Sequence, residues 1–175
     1  MVALAACVAT VGSAGADARP DFSAQARSAG LSASEARGLQ TKVDAAAAKW
    51  GGTQVAANKI RLSGGELTLT LPGEKYTRDL NATGTSAAVA NPPCPYTYVC
   101  AYEGRNFTGA YLSLFTCDTL NYIPFTEVGS WKNNQRAALR AKFYSKDKVL
   151  RWTSPGGYSE DPAADWSWVW YLSPC

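Results

Sequence analysis

The chain has 175 residues, 46% of them hydrophobic and 18% charged, with a formal net charge of +3. That hydrophobic content allows at least one packed core in one or two small domains, and so mild a charge does not by itself call for a nucleic-acid partner. Histidine is absent, which excludes histidine-ligated zinc, Ser-His-Asp triads and Cys-His dyads.

Residues 1–18 are rich in Ala and Val and end in Ala16-Asp17-Ala18, a small-x-small cleavage pattern. They read as a signal peptide with an incomplete beginning, because a basic n-region is missing. The run is too short and too broken by Gly and Ser to span a membrane. Leu4-Ala5-Ala6-Cys7 resembles a lipoprotein processing site, but apolar sequence continues past Cys7. On the simpler reading Cys7 leaves with the signal.

Residues 19–30 are polar, Ala-rich and without a period, and are expected to be loose. A helix follows. Ser32 and Glu35 have capping-box spacing, and Leu31 with Ala36 could staple the start. Ala36, Leu39, Val43, Ala47 and Trp50 recur at three and four residues, and Gly51-Gly52 ends the run. A hairpin is expected next, from Gln54–Leu62 through Ser63-Gly64-Gly65 to Glu66–Leu71. There Leu67, Leu69 and Leu71 alternate with Glu66, Thr68 and Thr70. Residues 19–76 thus form a small α+β helix-and-hairpin unit. It is marginal in size for independent stability and fits a pro-region or accessory module. Residues 77–93 are small and lack a hydrophobic period, and read as a linker open to proteolysis.

Composition changes at Cys94. Among the aromatics, only Phe22, Trp50 and Tyr76 precede it. Cys94, Cys100, Cys117 and Cys175 are the cysteines left after signal removal, an even set that suggests two disulfides in an exported chain. Pairing Cys94–Cys100 and Cys117–Cys175 is favoured, with Pro95 helping to supply the turn that the first bridge needs. Pairing of Cys100 with Cys117 across a hairpin is the competitor. Strands are expected around Tyr98–Tyr102, Tyr111–Phe115, Leu139–Tyr144, Val149–Trp152 and Trp166–Leu172, separated by Gly, Pro, Asn and Asp as in an antiparallel sandwich. No helix is expected after residue 94.

Tyr102, Phe107 and Gly109 follow the spacing aromatic, four residues, aromatic, one residue, glycine. A folded hairpin needs a residue tolerant of positive φ at the glycine, and the two aromatic rings can cover the bend. This spacing fits the βγ-crystallin Greek-key signature. Together with Cys94-Pro95, Cys100, Asn106 and Cys117 it resembles the secreted actinobacterial peptidase inhibitors of the Streptomyces metalloproteinase inhibitor type. Segments 51–60 and 71–74 also look like the pro-region of such precursors. The resemblance implies a mainly β, βγ-crystallin-like Greek-key sandwich over 94–175. It implies a secreted, extracellular, non-enzymatic inhibitor of a protease, with a metalloprotease as the indicated class, acting through an inserted loop.

The sequence departs from that pattern in two places. The crystallin calcium signature is replaced by Asn133-Asn134-Gln135-Arg136-Ala137-Ala138, which lacks both hydroxyls, so no metal is expected. The serine that anchors the hairpin is expected to be lost with them. A second close cysteine pair, which carries the reactive site in the best-known relative, has no counterpart. Candidate inhibitory loops are therefore Thr119–Gly129, with Tyr122, Ile123, Pro124 and Phe125, and Ser154–Ala164.

Trp166, Trp168 and Trp170 alternate and would share one face of a strand, either filling the core or stacking on sugars or a partner. Lys132, Arg136, Arg140, Lys142, Lys146, Lys148 and Arg151 read as a solvated strand face rather than a nucleic-acid surface. Glu160, Asp161 and Asp165 read as loop solubility, because a glycosidase pair needs opposed acids at fixed separation. The expectation is a monomer with no catalytic residues, no cofactor, no nucleic acid, no membrane span and an extracellular protease as partner. The alternative is a binding or antimicrobial module acting on cell-wall or carbohydrate surfaces.

Overall fold

The computed structural model describes residues 21–81 and 94–175. The expected signal segment and residues 82–93 of the expected linker lie outside the described residues.

Helix α2, Ala33–Trp50, starts where the capping box places it. Ser32 Oγ accepts the Glu35 N–H, and the Glu35 carboxylate accepts the Ser32 N–H at 2.9 Å. It ends at Gly51, whose φ of 69° is left-handed. Its buried face is Ala36, Leu39, Val43 and Ala46. Ala47 and Trp50, expected on this stripe, lie at its margin and open end and are half-buried. The preceding segment is not loose: Ser23–Ser28 forms a short helix α1. Asp21 Oδ1 accepts the Ser23 N–H, Ala26 packs into the core with Phe22 and Ala29 against it, and the Gln25 side chain accepts the Ala57 N–H, so long-range contacts order a segment with no period.

The expected strand Gln54–Leu62 is two strands, β1 Thr53–Ala56 and β2 Lys59–Arg61. The chain folds back at Ala57-Asn58. Asn58 is fully buried, and its amide donates to the Leu69 and Arg78 carbonyls at 2.8 Å each. Strand β3, Gly65–Thr68, follows. The described start of the expected linker is packed. The Thr77 hydroxyl donates to the Gly109 carbonyl, the Leu80 carbonyl accepts from Gln25, and Asp79 pairs with Lys59.

From Cys94 onward eight strands alternate in two quartets. The first is β4 Tyr98–Gly104, β5 Thr108–Leu114, β6 Asn121–Tyr122 and β7 Val128–Asn134. The second is β8 Lys142–Tyr144, β9 Leu150–Thr153, β10 Ser159–Asp165 and β11 Tyr171–Ser173. In each quartet the fourth strand lies beside the first, as in a Greek key, and the third crosses to the other sheet. The large sheet runs β1-β2-β3-β5-β4-β7-β10 and the small one β6-β11-β8-β9. Among the described residues all pairings between these strands are antiparallel, and the protein is mainly β, preceded by its helical segment.

Strand β7 has no sequence signature because it carries Ser130, Lys132 and Asn133 buried rather than alternating with apolar residues. The expected strand Trp166–Leu172 is broken. β10 ends at Asp165, whose carboxylate accepts the Ser167 N–H at 2.9 Å, and a turn closes from Val169 N–H to Trp166 O at 3.1 Å. Such an Asx turn takes the chain out of the ladder.

The helix-hairpin segment and the sandwich share one sheet. β3 pairs with β5 from Gly65↔Leu114 to Thr68↔Tyr111. A single apolar core runs from Leu39 and Val43 through Ile60, Leu67, Leu112 and Leu114 to Trp131, Phe143 and Leu172. On the other face of β4 and β5, Cys94, Cys100, Tyr102, Phe107 and Tyr111 form a smaller cluster.

Candidate functional site

The hairpin that carries Tyr102, Phe107 and Gly109 is built as its spacing implies. β4 turns through a 3-10 segment, Arg105–Phe107, into β5. Gly109 has a φ of 76°, and its N–H donates to the Lys75 carbonyl. Tyr102 and Phe107 meet edge to face with centroids 5.4 Å apart, and Tyr111 stacks on Tyr102 at 5.4 Å. The anchoring serine is not lost. Ser130, on β7, accepts the Phe107 N–H at 2.8 Å and donates to the Gly104 carbonyl at 2.7 Å. Nothing in the sequence marks this serine, because β7 carries no apolar alternation. Burial pushes the Tyr102 and Tyr111 phenols up, and Lys132 sits 4.2 Å from the Phe107 ring with its ammonium pulled down by burial. Groups this enclosed are withdrawn from the surface that a partner could meet.

Both favoured disulfides, Cys94–Cys100 and Cys117–Cys175, are present. They lie at one end of the sandwich, where β4 begins and β5 and β7 end. Asn134 clasps the first loop, its side chain donating to the Cys94 carbonyl at 2.7 Å and its main-chain carbonyl accepting the Thr97 N–H at 2.8 Å. The next residue, Gln135, donates to the Pro174 carbonyl beside the second disulfide. Tyr98 and Phe115 rings meet at 5.1 Å across the same end. The stretch read against the calcium signature is therefore engaged within the protein. Asn133 is fully buried, donating to Leu139 O and Ser154 Oγ and accepting from Gln135.

This rim carries apolar side chains in the open. Tyr96, at the tip of the Cys94–Cys100 loop, is 63% exposed, Phe115 is 42% exposed, and Leu120 also faces solvent. Thr97 is held at a φ of 76°, and the Tyr98 N–H closes a turn onto the Pro95 carbonyl. The Ser63-Gly64 turn supports the rim from behind, the Gly64 carbonyl accepting the Phe115 N–H at 3.2 Å.

The first candidate loop, Thr119–Gly129, is divided between interior and surface. Ile123 and Phe125 are buried, Phe125 with its ring 6.4 Å from Trp166. Tyr122 is exposed on β6, its ring 6.2 Å from those of Trp170 and Tyr171, and Pro124 is half-buried. In the second candidate, Ser154 is buried and residues 159–164 belong to β10, leaving Tyr158 as its exposed aromatic. Glu160, Asp161 and Asp165 accordingly lie on a strand rather than in a loop. Trp166, Trp168 and Trp170 do not form a strip. Trp166 is 1% exposed, Trp168 is 36% exposed and Trp170 is half-buried. The basic residues are equally dispersed: Lys132 is buried, Arg140 donates to the Ser154 carbonyl, and Lys146 lies over Trp170 at 5.0 Å.

Residues 87–149 match the model of peptidase inhibitor family I36. The match begins ahead of the Cys94–Cys100 loop, takes in the hairpin, the rim and β4 to β8, and stops before β9. It supports the resemblance to Streptomyces metalloproteinase inhibitor-type proteins and a peptidase inhibitor function, and a family of inhibitors is not a class of enzyme. No curated protein and no solved structure matches the chain.

Proposed function

We propose that this chain is a secreted inhibitor that blocks an extracellular protease, with a metalloprotease as the class the resemblance indicates, by seating the disulfide-tethered rim in the enzyme's cleft. The carrying observation is Tyr96, which is 63% exposed within a loop closed by Cys94–Cys100 and clasped by Asn134. A loop ordered before binding loses little entropy on docking. Exposed aromatics on a rigid base are the residue type that dominates interface energetics. Two disulfides fit an oxidising, extracellular setting. Among the described residues no helix is long and apolar enough to cross a membrane. The exchange of third strands between the two quartets and the Tyr102–Phe107 hairpin support a βγ-crystallin-like scaffold.

The test is to titrate the secreted chain, disulfides intact, against a thermolysin-like and a subtilisin-like protease. Inhibition of one is expected. Tyr96→Ala should weaken it by about 30-fold, the loss typical of a central interface aromatic, and Phe115→Ala by a smaller factor. No inhibition of either enzyme at micromolar concentration would sink the reading. Unchanged inhibition by Tyr96→Ala and Phe115→Ala would move the contact surface elsewhere.

A further inference from the structure

Away from the rim, the two sheets part. β10 is the last strand of the large sheet and β9 the last of the small one. Between them opens a cleft of about 520 Å³. Ligand sites commonly run from about 300 to 1,000 Å³ and combine apolar walls with a few convergent polar groups. The innermost residues lining this cleft, Trp131, Phe143 and Trp166, are buried, and its outer walls are Trp152 and Trp168.

The outer indoles are the unusual feature. Trp152 is 41% and Trp168 36% exposed, although both line a recess in which their rings could have been covered. Trp152 is not loose. Its ring lies 5.0 Å from Phe143 and 5.6 Å from Trp131, each in tilted or edge geometry. The scaffold thus holds an indole in a set orientation and leaves part of it in water. An exposed ring fixed in this way is available for stacking at little entropic cost.

The polar groups of the cleft decide what would stack there. Asp161 and Asp165 come from β10, Arg151 from β9 and Ser145 from the β8–β9 turn. Each aspartate has one oxygen held by a main-chain N–H, Asp161 by Ala163 at 2.8 Å and Asp165 by Ser167 at 2.9 Å, which fixes the direction of its carboxylate. Neither forms an ion pair with Arg151, so the acids and the base remain open to a ligand. A cation entering would meet Arg151, and an anion would meet two carboxylates. A neutral polyhydroxyl ring meets no such conflict. Its hydroxyls donate to the aspartates and accept from the guanidinium, while its C–H face lies on an indole.

We infer that the cleft between β9 and β10 binds a neutral saccharide, stacked on Trp152 and Trp168 and hydrogen-bonded by Asp161, Asp165 and Arg151. The site is independent of the protease-facing rim: its lining residues other than Trp131, Phe143 and Ser145 lie outside the segment that matches the inhibitor family.

The experiment is a tryptophan-fluorescence and calorimetric titration of the full chain with cellohexaose, chitohexaose and laminarihexaose, with arginine methyl ester and glucose 6-phosphate as charged comparisons. Saturable binding of at least one neutral oligosaccharide is expected, at millimolar affinity or tighter, and which one binds identifies the preferred linkage and whether an N-acetyl group is needed. Trp168→Ala and Asp161→Asn should each weaken it by about tenfold while leaving near-ultraviolet circular dichroism and the thermal midpoint close to those of the parent. These two positions are chosen because Trp152→Ala also removes packing from Phe143. No saturable response to any of the three oligosaccharides overturns the inference. So does preferential binding of either charged probe, or undiminished binding by both folded variants. Tyr96→Ala should bind the oligosaccharide like the parent, so that failure of the protease reading and failure of this one give different results.

Discussion

The indole nitrogen of Trp166 donates to the main-chain carbonyl of Tyr102 at 2.9 Å, and both residues are buried. This bond ties the turn after β10 to the end of β4, two strands away in the large sheet, and so joins the second quartet to the first. Room for it exists because residue 129 has no side chain. A Cβ on Gly129 would overlap both the Trp166 nitrogen and the Tyr102 carbonyl oxygen. Gly129→Ala is expected to cost about 1 to 3 kcal/mol, as overpacking of a tight core does, and more if the hydrogen bond is lost with it. Urea unfolding measures this, and an unchanged midpoint would show that the second quartet can shift at no cost.

Ser130 offers a related test. Its hydroxyl is the partner of both the Phe107 N–H and the Gly104 carbonyl, in a fully buried position. Ser130→Ala leaves both groups without it, and about 1 to 3 kcal/mol of stability should be lost. Ser130→Thr keeps the hydroxyl and should lose less if the extra methyl is accommodated. Equal losses for the two variants would mean that volume, not hydrogen bonding, sets the cost.

The disulfides should differ in worth. Cys117–Cys175 spans 58 residues and Cys94–Cys100 spans 6. On loop-closure entropy these correspond to about 4 and about 2 kcal/mol. Replacing the first pair with serine should therefore lower the unfolding free energy more. Replacing the second should weaken inhibition more than stability, because that bridge closes the loop bearing Tyr96. The reverse pattern would count against the rim as the contact surface.

Alkaline pH should destabilise the fold. Burial raises the Tyr102 and Tyr111 phenols above their ordinary 10.0, so the native state holds protons that the unfolded chain releases. Burial opposes the charge on Lys59, but its bond to Asp79 and the charges of Asp79 and Glu66 outweigh that, and it too is raised above its ordinary 10.5. In each case the native state binds more protons, so stability falls as pH rises past about 10. Unfolding midpoints should be lower above that pH than below it, and a level profile up to about pH 11 would contradict the assignment.

Removing the helix-hairpin segment should affect the sandwich. It leaves the β5 edge unpaired from Tyr111 to Leu114, uncovers Leu112 and Leu114, and takes the Gly64 carbonyl from behind Phe115. A chain beginning at Cys94 is expected to melt lower and to bind hydrophobic dyes. After limited proteolysis of the full chain between residues 81 and 94, the two pieces should stay together on gel filtration. Separation of the pieces with an unchanged melting point for the larger would mean that the shared sheet contributes little.

Local chemistry made several features legible in the sequence. The capping box at Ser32 and Glu35, the glycine stop of α2, the Tyr102–Phe107–Gly109 hairpin and the disulfide pairing all depend on residues close in the chain or few in number. The mainly β class of the C-terminal part followed from alternation and turn residues in the same way. Strand β7 has no pattern to read, because its buried Ser130 and Lys132 on one face and Asn133 on the other are tolerated only where the hairpin and Ser154 supply partners. The same cause hides from the sequence which candidate-loop side chains are interior. Ile123 and Phe125 look like specificity residues until the second sheet covers them, whereas Tyr96 and Phe115 stand out only once both disulfide ends meet. Short-range spacing in the chain was enough for the caps, the hairpin, the Cys94–Cys100 bridge and the mainly β class, and the long Cys117–Cys175 bridge was favoured among few cysteines. The tertiary structure alone decided which aromatics are interior, that β3 and β5 join the two parts into one sheet, and where a cleft opens, because burial depends on contacts between strands far apart in the chain.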